Sequence, residues 1–213
     1  MTADPETRLR ADARRNRDQI LAAASALFVE QGPDVPMDEV ARRAGIGVGT
    51  LYRRFPDRGA LIRAVARDNL ARVLADARAA VAEEPTAWLA LVRMLRRSVP
   101  LQLTVYLAWL SPLASAIIQD DPMTYQVRDL LVEMLDELVR AAQAEGQLRP
   151  DIGPGDVKVL VSLLLRHLGG PPDERAAQLV TDRALAIMLD GLRAQPGSTL
   201  PGCPLSSDDV NWV

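Results

Sequence analysis

Proline and glycine cut this chain into helix-length pieces, and no other feature of the sequence restricts its fold as strongly. Gly32-Pro33, Gly45, Pro85, Ser111-Pro112, Asp121-Pro122, Gly146, Pro154 and the run Gly169-Gly170-Pro171-Pro172 separate segments whose apolar residues recur three and four apart. Proline is tolerated in a first helical turn, where its missing N–H is not needed, and glycine just past a last turn, where a left-handed residue closes the helix. Within residues 13–31, Ile20, Leu21, Ala24, Leu27 and Phe28 follow the spacing of one helical face. Two short helices are expected over 37–44 and 48–55. A long helix capped by Asp57 then reaches about residue 82, roughly 35 Å at 1.5 Å per residue. Further helices are expected from Pro85 to 98, from Leu101 to the Ser111-Pro112 break, from Asp121-Pro122 to 145, over 154–168 and over 172–194. No strand alternation and no internal repeat competes, so the expected fold is all-α.

Composition narrows the function classes. The chain has 213 residues, room for one large core or for a small domain beside a larger one. Cys203 is the single cysteine, which rules out an intramolecular disulfide and a paired-cysteine metal site and fits a reducing compartment. His167 is the single histidine, so no histidine cluster for a metal and no second histidine for a catalytic triad is available. Neither a catalytic constellation nor a cofactor motif is visible, and no enzyme is expected. The charged N-terminal stretch has no signal or anchor pattern. The apolar run 157–168 is interrupted by Lys158, Ser162, Arg166 and His167 and is too short to span a bilayer. A cytoplasmic protein with no membrane contact is expected. Charge is unevenly distributed: residues 1–72 hold 13 arginines against 10 acids, while the remainder holds 12 cations against 18 acids, for a net charge of −3. A basic head thus joins an acidic body, the charge pattern of a chain that meets a polyanion at one end.

The stretch AGIGVGTLYRRF, from Ala44 to Phe55, has glycine at alternate positions, as phosphate-cradling loops do. It fails both nucleotide templates. A Walker loop requires lysine after its last glycine, where Thr50 stands, and a Rossmann loop requires Gly or Ala at that same position. Both loops also follow a buried strand, whereas Met37, Val40, Ala41 and Ala44 lie on one helical face. Two short helices across a glycine turn, with a helix ahead to cover them, form a helix-turn-helix over about 36–55. Val40, Ala44, Ile46, Leu51 and Phe55 are expected to join Leu27, Phe28 and Leu61 in a small core. Val48, Gly49, Thr50, Tyr52, Arg53 and Arg54 then face outward on a helix slim enough for the major groove.

The segment ILAAASALFVEQGPDVPMDEVARRAGIGVGTLYRRFPDRGALIRAV resembles the DNA-binding domain of TetR-type (TetR/AcrR-like) transcriptional regulators, and ARRAGIGVGTLYRRFPDR is its most specific part. The resemblance implies an N-terminal arm over 1–12, expected to be mobile, a DNA-binding domain over 13–72 and a helical regulatory and dimerisation domain over 73–195. A Pro/Gly-rich tail over 196–213, expected to be mobile apart from a docking opportunity at Trp212, completes the chain. By the same resemblance Thr50, Tyr52 and Arg58 contact DNA phosphates and Val48, Gly49 and Arg53 approach base edges, while Arg54 serves either role. Arg15, Arg17, Arg42 and Arg43 lie near the backbone or are plain surface arginines. Two positions depart from the family pattern: Gly47 stands where a Ser or Thr cap is common, leaving helix amides to face a phosphate, and Val48 stands where a polar or basic residue is common.

For the body, the resemblance implies a small-molecule effector and a homodimer on a near-palindromic operator, most simply as a repressor that the effector releases. Trp88, Leu91, Met94, Tyr106, Trp109, Met123, Tyr125, Met134 and His167 are candidates for the effector pocket, with ordinary core packing as the competing assignment. Leu160, Leu164, Leu168, Leu185, Met188, Leu189 and Leu192 are candidates for the dimer interface, because the last two helices are apolar around much of their circumference. The competing function is a helical ligand-binding or interaction module that has lost specific DNA binding.

Overall fold

The computed structural model describes residues 5–98, 101–166, 174–194 and 199–210. Among these it forms α1 (Pro5–Gln31), α2 (Met37–Arg43), α3 (Val48–Arg54), α4 (Arg58–Glu83), α5 (Ala87–Arg96), α6 (Leu101–Leu110), α7 (Pro112–Gln119), α8 (Pro122–Ala144), α9 (Pro154–Arg166) and α10 (Glu174–Leu192), followed by one 3-10 turn over Ser207–Asp209. The β structure among the described residues is a single bridge between Leu148 and Arg193.

Local chemistry accounts for most of the boundaries. Asp57 accepts a hydrogen bond from the Ala60 amide at 2.6 Å, Ser111 from Ala114 at 3.2 Å and Asp121 from Thr124 at 2.9 Å, each satisfying an amide that the first helical turn leaves unpaired. Gly32, Gly45 and Gly146 close their helices at φ of 82°, 68° and 69°, conformations that a Cβ would strain. Three boundaries depart from the sequence expectation. α1 begins at Pro5, so helix replaces most of the expected arm. α5 is capped by Thr86 rather than opened by Pro85: the Thr86 hydroxyl accepts from the Leu89 amide at 3.2 Å, and the Glu145 carboxylate accepts from Ala87 at 2.9 Å. Finally, Pro112 does not merely end the apolar segment; it opens α7, which Ser111 caps.

The helices surround two apolar cores. The first gathers Ile20, Leu21, Ala24, Leu27 and Phe28 of α1, Val40 and Ala41 of α2, Leu51 and Phe55, and Leu61, Ile62, Val65 and Ala66 of α4. Ala44 and Ile46 pack against it, so every residue expected in the small core is there. It is closed from the body side by Leu107 of α6 and by Ala114 and Ile118 of α7. The second core takes over on α4 at Leu70, continues through Val73, Leu74, Ala77 and Ala80, and adds apolar faces of α5, α8, α9 and α10. At about 1.5–3 kcal/mol for each large side chain fully removed from water, burial of this kind dominates both units.

Between the two cores, α4 carries three consecutive polar residues that face three different neighbours. Arg67 forms a two-point ion pair with Asp121, at the corner between α7 and α8, with one N–O distance of 2.8 Å. Asp68 accepts from Arg17 of α1 at 3.2 Å, and Asn69 donates to Thr104 of α6 at 3.3 Å. Asp121 is 2% exposed and also accepts from the Thr124 hydroxyl at 2.6 Å. The guanidinium of Arg67, reinforced by the Thr124 donors, holds its carboxyl well below the ordinary carboxylate range.

The tail is not uniformly mobile, because residues 199–210 lie along the start of α9. The Gly155 amide donates to the Leu205 carbonyl at 2.9 Å, and Asp156 accepts from the Gly153 and Leu205 amides at 2.7 and 3.0 Å. A Cβ on Gly153 would stand 2.0 Å from the Leu205 oxygen, and one on Gly155 would stand 2.2 Å from the Ser206 oxygen. These two glycines therefore exist to let a second backbone approach. Lys158 donates to the carbonyls of Ser207, at 2.9 Å, and Val210, while Ser207 donates to Asp136. Trp212 lies outside the described residues.

Two expectations follow. Gly155→Ala should detach the tail without unfolding the bundle, so that the Leu205 amide exchanges with solvent at least about tenfold faster while core amides are unchanged. Asp121→Asn should cost about 1–3 kcal/mol at neutral pH, the lower end reflecting Arg67, which is 40% exposed and regains water. Because the native carboxyl is depressed, its contribution is complete above about pH 4 and is lost as pH falls further. Denaturant titrations should accordingly show the gap between wild type and Asp121→Asn closing in acid.

Candidate nucleic-acid interface and interior cavity

The α2–α3 pair presents its outward face without obstruction. Gly45 makes the turn, Ile46 donates its amide back to the Ala41 carbonyl at 3.0 Å, and Gly47 precedes α3 in an extended conformation. No side chain caps α3; the Gly47 carbonyl accepts from the Thr50 and Leu51 amides, at 2.8 and 3.2 Å. Leu51 is the inward anchor of this helix, and Phe55 joins it just beyond the last turn. Val48, Gly49, Tyr52, Arg53 and Arg54 are exposed and Thr50 is half-buried, so one short helix offers all six outward.

The arginines around α3 fall into two groups. Arg15 pairs with Asp12, Arg17 with Asp68, Arg42 with Glu39, Arg43 with Glu30 and Arg58 with Asp34. Arg53 donates to the Thr50 hydroxyl at 3.2 Å, and neither it nor Arg54 makes an ion pair among the described residues. In the last turn of α3 the cations thus stand unneutralised where a phosphate or a base edge would meet them. The paired arginines already have part of their charge neutralised by a carboxylate.

The body holds a partly open cavity of about 120 Å³. Its wall follows helical faces: Met94, Leu95 and Ser98 from the end of α5 and just beyond; Leu101, Thr104, Val105 and Ala108 on α6; Tyr125, Arg128, Leu131, Val132 and Leu135 on α8. α4 adds Leu70 and Val73, α7 adds Ile118, and α9 adds Lys158 and Val161. Of the expected pocket residues, the structure brings Met94 and Tyr125 to this wall. Leu91 and Trp88 share the α5 face of Met94 but lie nearer the start of the helix, inside the second core, and Met134 packs against that core. Trp88 instead borders a shallow recess with Gln147 and Arg193, whose guanidinium sits 5.2 Å from its ring. Tyr106, Trp109 and Met123 are on other faces of α6 and α8; Trp109 is 68% exposed. His167 lies outside the described residues. Residue type alone does not locate the cavity, because membership follows the inward spacing of each helix.

The expected interface residues divide in the same way. Leu185, Leu189 and Leu192 face the protomer's own core, a correction to their assignment as interface, and Leu164 and Met188 pack against it. Leu160 is exposed, together with Leu163, Leu179, Val180 and Ile187, which form the outward apolar surface of α9 and α10. Leu168 lies outside the described residues. Two cavity residues that sequence reasoning did not single out as functional are Arg128 and Lys158. From sequence Lys158 is one charge interrupting an apolar run; the signal available was that it is the sole lysine among 25 cations.

A helix, a glycine turn and an exposed second helix over a dedicated core define a helix-turn-helix DNA-binding protein. Residues 20–65 match the sequence profile described as bacterial regulatory proteins of the tetR family, and residues 84–194, about half of the chain, match the C-terminal domain of SbtR-like transcriptional regulators. The chain belongs to the TetR family of transcriptional regulators and is not an enzyme. The TetR transcriptional regulator SCO0520 of Streptomyces coelicolor is 33% identical, with a TM-score of 0.65 over 84% of this chain and 99% of that one. A TetR regulatory protein of Mycobacterium vanbaalenii is 32% identical, with a TM-score of 0.59 over 87% and 99%. A helix-turn-helix-type regulator of Staphylococcus aureus strain USA300 is 41% identical over 63 residues, which are 29% of this chain and 34% of that relative. The chain thus spans about a third of the length of the curated relatives it matches. At 24% identity and a TM-score of 0.60, the regulator LfrR of Mycobacterium smegmatis, solved with proflavine, shares the fold over 88% of this chain and 99% of its own. Among the described residues, no helix is long and apolar enough to cross a membrane.

Gly49 allows what packing requires to be told apart from what a DNA contact would require. A Cβ there meets nothing within 4 Å, so the protein itself does not require glycine. Gly49→Ala should raise stability by up to about 1 kcal/mol, the usual gain in a helical conformation, while weakening DNA binding about tenfold or more through lost close approach. Thermal melts and titrations with DNA flanking its own gene measure the two separately.

Proposed function

We propose that this regulator is a homodimeric repressor, acting in the cytoplasm, whose grip on a near-palindromic operator is released by a small molecule entering the cavity. The observation that carries this is Ile118. It packs in the core beneath the helix-turn-helix and also lines the cavity, so α7 is a wall of both. A ligand that displaces α6 and α7 outward disturbs Leu107, Ala114 and Ile118 together and re-seats the head on α4. In a dimer, recognition helices about 34–36 Å apart fit successive major grooves, and re-seating takes them out of register. Driving the population from 1:99 to 99:1 requires the ligand to prefer the released arrangement by about 5.5 kcal/mol.

Support for a second copy comes from Leu160, Leu163, Leu179, Val180 and Ile187, whose exposure along α9 and α10 leaves an apolar face that a symmetry mate would cover. On the DNA side, Tyr52 and Thr50 reach the phosphates and Arg53 a base edge, with Arg54, Arg58, Arg42, Arg43, Arg15 and Arg17 around them.

A mobility-shift titration with the DNA flanking its own gene is the deciding measurement. The expected result is a sequence-specific complex that weakens steeply with salt and is abolished by Tyr52→Ala, with the variant still dimeric by sedimentation. A complex that forms equally on any sequence, or none at all, would instead identify a helical module without specific DNA recognition.

A further inference from the structure

Among the described residues, the wall of the cavity carries two cations, Arg128 and Lys158, and no carboxylate. Three of its other polar side chains already donate elsewhere. Ser98 donates to the Leu95 carbonyl at 2.6 Å, Thr124 to Asp121 at 2.6 Å, and the Gln119 amide to Ser115 at 3.0 Å. The Arg128 guanidinium lies over the Tyr125 ring at 4.7 Å and, unlike the paired arginines of the head, makes no ion pair among the described residues. An arginine stacked on an aromatic face is held in a fixed orientation with its donor fork still available, the arrangement suited to two-point binding of a carboxylate.

Lys158 sharpens the point. This chain uses arginine for 24 of its 25 cations, yet it places its one lysine 4% exposed against the cavity. The ammonium donates to the carbonyls of Ser207 and Val210, which hold it beside the docked tail. Burial depresses this group, and Arg128 depresses it further; Asp136, Asp208 and Asp129 oppose the effect. Arg128 and Lys158 repel across this wall, and an anion paired to Arg128 lessens that repulsion.

We propose that the cavity takes an apolar ligand bearing one carboxylate, with the carboxylate paired to Arg128 within the field of Lys158 and the apolar part among Leu70, Val73, Val105 and Leu131. This rests on the assignment of the cavity as the effector site and specifies the effector's chemical class. The cavity volume of about 120 Å³ approaches the ~150 Å³ that accommodates benzene in an engineered apolar cavity, so a six-carbon chain is a suitable probe.

Hexanoate, 1-hexanol and hexylammonium share that chain and differ in charge. With full-length protein labelled at lysine Nζ with nitrogen-15, the single lysine gives one ammonium signal to follow alongside the thermal midpoint. Hexanoate is expected to bind about tenfold tighter than hexanol, to raise the midpoint and to move the Lys158 signal, while hexylammonium binds more weakly than either. Arg128→Met should reduce hexanoate to the affinity of hexanol and leave hexanol unchanged, a readout that also shows the variant is folded. Hexanol binding as tightly as hexanoate, hexylammonium binding tightest, or hexanoate affinity surviving Arg128→Met would overturn the carboxylate assignment and leave the effector cavity standing. Failure of all three probes to bind would overturn the cavity assignment and this proposal together.

Discussion

Along α4 the two apolar cores meet at residues 67–69, three successive polar side chains. Arg67 reaches Asp121, Asp68 holds Arg17 and Asn69 holds Thr104, so three successive side chains fasten the helix to the α7–α8 corner, to α1 and to α6. Apolar packing is non-directional and tolerates small slips, whereas a two-point ion pair at a site as buried as Asp121 accepts one geometry and penalises others. The head therefore sits on the body in a defined orientation, with Leu107, Ala114 and Ile118 supplying the apolar part of the joint. Asp121 adds a second function at the same atoms, because the carboxylate that receives Arg67 also caps α8 through Thr124. Orientation of the head and initiation of the longest body helix are thus not independent events.

On the proposed reading, this joint is where the ligand acts. α6 packs on both cores, and α7 packs on the head core, adds Ile118 to the cavity wall and ends at the Asp121 corner, so two of the elements lining the cavity lie beneath the head. A change in cavity filling acts on a corner held by a few directional contacts, the kind of element that has discrete arrangements rather than a continuum.

Sequence revealed the features that depend on neighbours in the chain. Gly45 as a left-handed stop, Asp57 and Asp121 as caps and the i, i+4, i+7 face of α1 are each set within one or two helical turns, and the helix-turn-helix with its core was legible for that reason. α7 was not, because Leu101 to Gln119 is largely apolar and the Ser111-Pro112 pair inside it was read as an end rather than as a new start. The cavity was mislocated because aromatic and methionine content was weighed above helical phase: Trp109 and Met123 lie off the inward face that Thr104, Val105, Tyr125 and Arg128 share. Leu185, Leu189 and Leu192 looked equally suited to an inner or an outer face, and only the packing partners decide which. Arg67 and Asp121 are 54 residues apart, and the tail meets Gly153 and Gly155 about 50 residues away. Those contacts have no local signature.

The double membership of Ile118 limits how such a regulator can diversify. A substitution there that reshapes the cavity also alters the support of the helix-turn-helix, so a new ligand acquired by this route comes with changed DNA affinity. Val132 and Ser98 line the same cavity without belonging to the head core. On the proposed reading, variation in what the protein senses has free passage through the α8 wall and the α5–α6 corner, while α7 is held to the requirements of the operator.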